Sequence, residues 1–160
     1  MFSPFLSSQV RLAHDGPAWH GASLAENLRE LSAEQAASRP IPGAHSIWEI
    51  VLHLTGWTGE VGRRLRTGDQ KLPESGDWPE VANVSDAAWN RAVEALRTEH
   101  SELAKAVTRF AEERWSHLVG TSRDAPLGTG VSFAEMVAGS VQHAAYHGGQ
   151  IGLLRKALGL

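Results

Sequence analysis

The chain has 160 residues, 42% hydrophobic and 21% charged, with six tryptophans; this suits one folded domain over residues 1–160 and argues against disorder. A formal net charge of -3 removes the long-range attraction to phosphate on which nucleic-acid binding depends, so no nucleic-acid partner is expected. With no cysteine there is no disulfide, no thiolate nucleophile and no Cys-based zinc site, so any metal must rest on His, Asp or Glu.

The first residues, MFSPFLSSQVRLAHDG, lack a charged stretch followed by a sustained apolar run. No later segment approaches the ~18 apolar residues of a membrane span. A cytoplasmic protein without a membrane partner is expected. Ser7 to His14 reads as helical, Gly16-Pro17 breaks the pattern, and Trp19 through Leu31 resumes it with Leu24, Leu28 and Leu31, giving one interrupted helical element. Arg39-Pro-Ile-Pro-Gly43 is a linker.

Ser46-Ile-Trp-Glu49 is a capping box, in which the Ser and Glu side chains satisfy exposed amides reciprocally. The helix it opens should run to about Thr67, before Gly68. Its stripe of Ile47, Ile50, Val51, Leu54, Trp57, Val61 and Leu65 recurs at spacings of three and four and faces a core. Arg63, Arg64 and Arg66 near its end complement the helix dipole and read as a solvated helix end. Leu72 to Val84, with Pro73, Gly76 and Pro79, is a loop.

Ser85 or Asp86 caps a long helix through about Phe110, carrying Trp89, Val93, Leu96, Leu103 and Val107. Residues 120–130 form another loop. A second capping box, Ser132-Phe-Ala-Glu135, opens the last helix, whose stripe from Phe133 to Leu158 ends near Gly159. Strand-like alternation is nowhere sustained and no internal repeat is present. The expected fold is all-α, an antiparallel four-helix bundle with long connections.

Within the last helix, His143-Ala-Ala-Tyr-His147 places two imidazoles about 40° apart around the axis and roughly 5 to 6 Å apart at Cβ. Two nitrogens so placed can converge on one ion, although with eight histidines in the chain such a pair also arises by chance. His53 is the best third candidate, because it lies mid-helix beside Ile50 and Leu54, and mid-helix positions meet across a bundle core. Three neutral imidazoles suit zinc, nickel, cobalt or iron and leave positions open for water or substrate.

His45-Ser-Ile-Trp-Glu-Ile-Val-Leu-His53 and Val141-Gln-His143-Ala-Ala-Tyr-His147-Gly-Gly-Gln150-Ile151 together resemble the DinB/YfiT-like superfamily of metal-dependent enzymes. The resemblance implies a four-helix bundle holding one divalent metal ion on His53, His143 and His147. It also implies a small-molecule substrate, with hydrolysis or transfer of a small thiol as the chemistry, since the superfamily includes thiol transferases and a thiol-dependent isomerase. A low-molecular-weight thiol is therefore a second expected cofactor.

Catalytic groups are harder to place. Gln150, one turn beyond His147, can hydrogen-bond a ligand imidazole or a bound water. Glu60 lies two turns beyond His53, and Tyr146 sits about 100° off the face of the paired histidines. These three are the candidates for acid, base or positioning roles. His14, His20, His45, His100 and His117 read as surface or loop histidines, with His20 and His45 on segments that can approach the mouth of the site. Gly148 and Gly149 fall inside the helix, where each costs roughly 1 kcal/mol relative to alanine; close helix packing and clearance beside a metal account for them equally well.

Beside a metal-free interaction module, two metal-binding function classes follow. One is a metal-dependent hydrolase or S-transferase. The other is a non-catalytic metal-binding or stress-associated bundle, whose ion contributes to folding stability. Homodimerisation through exposed helix faces remains open, because no stripe is surplus to the core.

Overall fold

The computed structural model describes residues 1–160, and its order comes from six helices. They are α1 Phe2–His14, α2 Leu24–Asn27, α3 Ala33–Ala37, α4 Ile47–Thr67, α5 Asp86–Arg109 and α6 Phe133–Ala157, with a 3-10 turn at Glu112–Arg114. No strand forms beyond two isolated bridges, Leu118 with Ser132 and Asp124 with Thr129. The fold is all-α, a bundle of the four long helices α1, α4, α5 and α6. No helix is long and apolar enough to cross a membrane.

The capping boxes at Ser46 and Ser132 form as their spacing predicts, each Ser accepting from the amide three residues on while the Glu accepts from the Ser amide. Gly68 ends α4 in the left-handed region, its amide donating to the Arg64 carbonyl at 2.9 Å. The early part of the chain differs from expectation. α1 begins at Phe2 rather than Ser7, because Glu112, 109 residues away from Ser3, accepts from the Phe2 amide and from Ser3 Oγ at 3.0 Å. Of the predicted helix from Trp19 to Leu31 only α2 is helical, opened by a capping box of Ser23 with Glu26; a second short helix, α3, follows beyond it with its own box, Ser32 with Gln35. Trp19 itself is fully exposed.

Cross-helix contacts give the directions. α1 runs antiparallel to α5, with Ser3 Oγ donating to the Phe110 carbonyl and Ser7 Oγ to that of Ala104. α4 and α5 run parallel: Trp48 packs on Trp89, and Gly59 lies beside Glu99. α6 returns antiparallel to α4, since Ile47, Ile50 and Leu54 share a core with Ile151 and Leu154, whereas Val61 and Leu65 share one with Phe133, Met136 and Val137. Burial of each such side chain contributes about 1.5 to 3 kcal/mol. A parallel pair needs a connection that travels the length of the bundle. Residues 68–85 are that return strap, and they pass over the face of α4 that carries His53.

Candidate metal centre

α4 and α6 bring His53, His143 and His147 together, as their spacing and family pattern predict. His143 Nε2 lies 2.9 Å from His53 Nε2 and 3.1 Å from His147 Nε2. The ligand atoms of all three fall within 4.8 Å of one another, a group that could hold a metal ion. Bonds of about 2.0 to 2.1 Å at tetrahedral angles separate ligand nitrogens by about 3.3 Å, so the two short pairs need open by only a few tenths of an ångström.

The other face of two rings sets the tautomers. His53 Nδ1–H donates to the Asp77 carbonyl at 2.7 Å, and the Asp77 carboxylate lies 3.2 Å from the same nitrogen. His147 Nδ1–H donates to Gln150 Oε1 at 2.6 Å. Both Nε2 atoms are therefore bare lone pairs, and both face His143 Nε2. That nitrogen carries at most one proton, which cannot satisfy two acceptors on different helices. The donor set is short of a positive centre, and a cation fits it.

Burial keeps the rings neutral. It pushes His143 down to about 4, with the neighbouring His147 and His53 adding to the effect. Burial also lowers His53 and His147, against the opposing pull of hydrogen bonds to Asp77 and Gln150 respectively. Neutral imidazoles are what metal coordination requires.

A sequence model of the DinB superfamily matches residues 18–151. The chain belongs to the DinB superfamily. No curated protein and no solved structure matches it.

In this DinB-superfamily chain, two groups near the histidines escaped sequence reasoning. Asp77 and Trp78 come from the strap, read only as a loop. The Trp78 ring lies stacked between His53 (3.9 Å, 8° between planes) and His45 (3.7 Å, 2°). Asp77 Oδ1 also accepts from Trp57 Nε1 at 2.7 Å, tying the strap to α4 at both ends of one turn. His45, read as a surface or loop histidine able to approach the site mouth, is half-buried, and its Nδ1 is sealed from water without a hydrogen-bond partner, 3.8 Å from Glu49 Oε2. A Trp-Asp pair in a Pro- and Gly-rich loop is the one trace the sequence offers.

The remaining candidates are scattered. Gln150 stands against His147, on the side away from the other two rings. Tyr146 is exposed at the rim, its ring centroid 5.0 Å from that of His147. Glu60 is not brought to the histidines: its carboxylate accepts from Arg63, from Arg64 Nε at 2.8 Å and from the Lys71 amide at 3.2 Å. Burial opposes its ionisation, but the hydrogen bonds from Arg63 and Arg64 outweigh that and hold the carboxyl below its usual range. Arg64 is buried rather than solvated. Close approach explains neither glycine: a Cβ on Gly148 would meet Leu24 and Asn27 at ordinary contact, 3.7 and 3.9 Å, and Gly149 faces open space.

His143 lines two clefts. One, of about 560 Å³, is mostly apolar and lies between His45, Trp78 and the outer turns of α6. The other, of about 410 Å³, runs from His143 along the seam between α4 and α6 to Arg64, roofed by the loop after Thr121.

Proposed function

We propose that this DinB-superfamily chain is a metal-dependent enzyme whose resident divalent ion sits on His53, His143 and His147. The observation that carries the reading is the convergence of lone pairs: two Nε2 atoms fixed as acceptors face a third imidazole nitrogen with no cation-free way to satisfy all three. Zinc, nickel, cobalt and iron(II) all suit three imidazoles. Held there, the ion would supply Lewis acidity to a small molecule, water or a thiol among them.

The chain's own residues then have distinct tasks. Asp77 and Gln150 hold the His53 and His147 rings in the ligating tautomer. Trp78 shields the His53 ring from solvent. Two clefts that meet at His143 favour a reaction between two bound molecules, and hence transfer of a small thiol to an electrophile over simple hydrolysis. The competing reading, an ion that only stabilises the bundle, draws no support from clefts that open on the ligands. Location in the cytoplasm and a single domain over 1–160 accompany the proposal.

Elemental analysis of the purified protein and of the His53→Ala, His143→Ala and His147→Ala variants tests the seat. One equivalent of metal in the parent and loss in each variant is expected; undiminished metal in the variants would sink the assignment. Turnover of the metal-loaded protein across paired thiol and electrophile panels, against ester and amide panels, tests the chemistry. Silence in both favours the structural ion.

A further inference from the structure

Arg64 is the most deeply buried charge in the chain, 1% exposed. A buried cation requires partners, and two of its nitrogens have them: Nε donates to Glu60 Oε1 at 2.8 Å and Nη2 to the Lys71 carbonyl at 2.8 Å. Nη1 has no protein acceptor. It is not sealed either, since the sealed and unpartnered side-chain atoms are His14 Nδ1 and His45 Nδ1. It opens into the cleft that ends at His143, opposite Gly128, whose added Cβ would stand 3.7 Å from it.

The electrostatics around Nη1 favour an anion. Glu60 is shared between Arg63 and Arg64, and Arg63 turns also to the exposed carboxylate of Asp69 at 3.4 Å, so Arg64 has only a share of one buried carboxylate. Arg123 stands at the rim of the same cleft. The one acidic side chain on the lining, Glu135, is turned to the Ser132 amide and hydroxyl as a helix cap. Between the two ends the walls are apolar, from Val61, Val131 and Met136. A single free nitrogen with two N–H groups matches a monoanionic carboxylate better than a phosphate dianion, and charge-assisted hydrogen bonds in a shielded place are the strong ones.

We propose that the cleft along the α4/α6 seam seats an aliphatic carboxylate substrate, its carboxylate on Arg64 Nη1 and its reactive end at the three histidines. The proposal rests on reading those histidines as the reacting centre. Arg64 is then the specificity-determining residue.

Full-length protein, zinc-loaded and again after chelator treatment, is titrated with straight-chain monocarboxylates from propionate upward, with their primary amides, and with inorganic phosphate. Binding is followed on the Arg64 Nε–H resonance and the Gly139 and Ser140 amides. Acids should bind at least about tenfold tighter than amides, the value of one charge-assisted hydrogen bond, and tighter than phosphate. Arg64→Gln should erase the acid preference while amide affinity stays. Gly139→Leu, where an added Cβ meets nothing within 4 Å, should block acids and amides alike without disturbing the Glu60–Arg64 pair, and so decides the matter if Arg64→Gln fails to fold.

Equal affinity for acid and amide overturns the proposal, as does a preference that survives Arg64→Gln, a stronger response to phosphate, or shifts confined to the histidine rings. Because the chelator-treated arm needs no metal, acid binding there with no metal in the purified protein keeps the Arg64 site and removes the metal reading instead.

Discussion

Asp77 grips His53 twice, its backbone carbonyl 2.7 Å and its carboxylate 3.2 Å from the same Nδ1. The carbonyl sets the tautomer, and the carboxylate raises the basicity of the ring's far nitrogen. Asp77→Ala keeps the first contact and removes the second, together with the acceptor for Trp57 Nε1. Metal affinity should fall about tenfold, at the lower end for such outer partners, as read by competition with a chromogenic chelator. An unchanged affinity would show that the carbonyl alone does the work.

Gln150 holds His147 through a side-chain oxygen only, at 2.6 Å. Gln150→Ala should weaken metal binding by about ten- to a hundredfold, and Gln150→Glu, which keeps an acceptor at that place and adds charge, should restore it. If both variants bind metal alike, Gln150 does not orient the ring.

His100 is buried on α5, its ring 4.8 Å from that of His14. Burial pushes His100 from 6.5 down to about 4 and lowers His14 as well. Between those two pH values the unfolded chain binds protons that the folded one refuses. Stability therefore rises with pH across this window and is lost as pH falls from 6.5 toward 4. The loss attributable to His100 is on the order of 3 kcal/mol. Urea unfolding of His100→Leu at a series of pH values should show a flatter acid limb than the parent; parallel limbs would exclude the residue as a source of acid sensitivity.

Glu60 and Arg64 form a buried ion pair, their side chains 4% and 2% exposed. Removing the carboxylate in Glu60→Ala strands a cation and should cost about 3 kcal/mol or more in urea unfolding. The double change Glu60→Leu with Arg64→Met removes both charges and should recover most of that loss. Equal destabilisation by the single and double variants would place the cost in packing rather than charge.

The helices were legible where caps and stripes agree, as at Ser46 and Ser132. Ser23-Leu-Ala-Glu26 and Ser32-Ala-Glu-Gln35 carried the same signature and mark two short helices, one shorter than the run of Leu24, Leu28 and Leu31 implied and one beyond it. The start of α1 was not legible, because its cap, Glu112, arrives from 110 residues away, in the turn after α5. The three histidines could be proposed from spacing only as a pair and a candidate, and the family pattern chose the third. Asp77, Trp78 and the free face of Arg64 depend on the path of an aperiodic strap and on the burial of a charge that composition places at the surface. No local rule reports either.

That strap follows from α4 and α5 pointing the same way. Its chain is threaded past the centre without lending it a ligand, so the centre has a removable brace. One proteolytic nick after exposed Lys71 would leave His53, His143 and His147 on their helices and yet free the segment that holds His53 in register. Metal affinity in such a clipped chain would report how much of the seat is architecture and how much is tether.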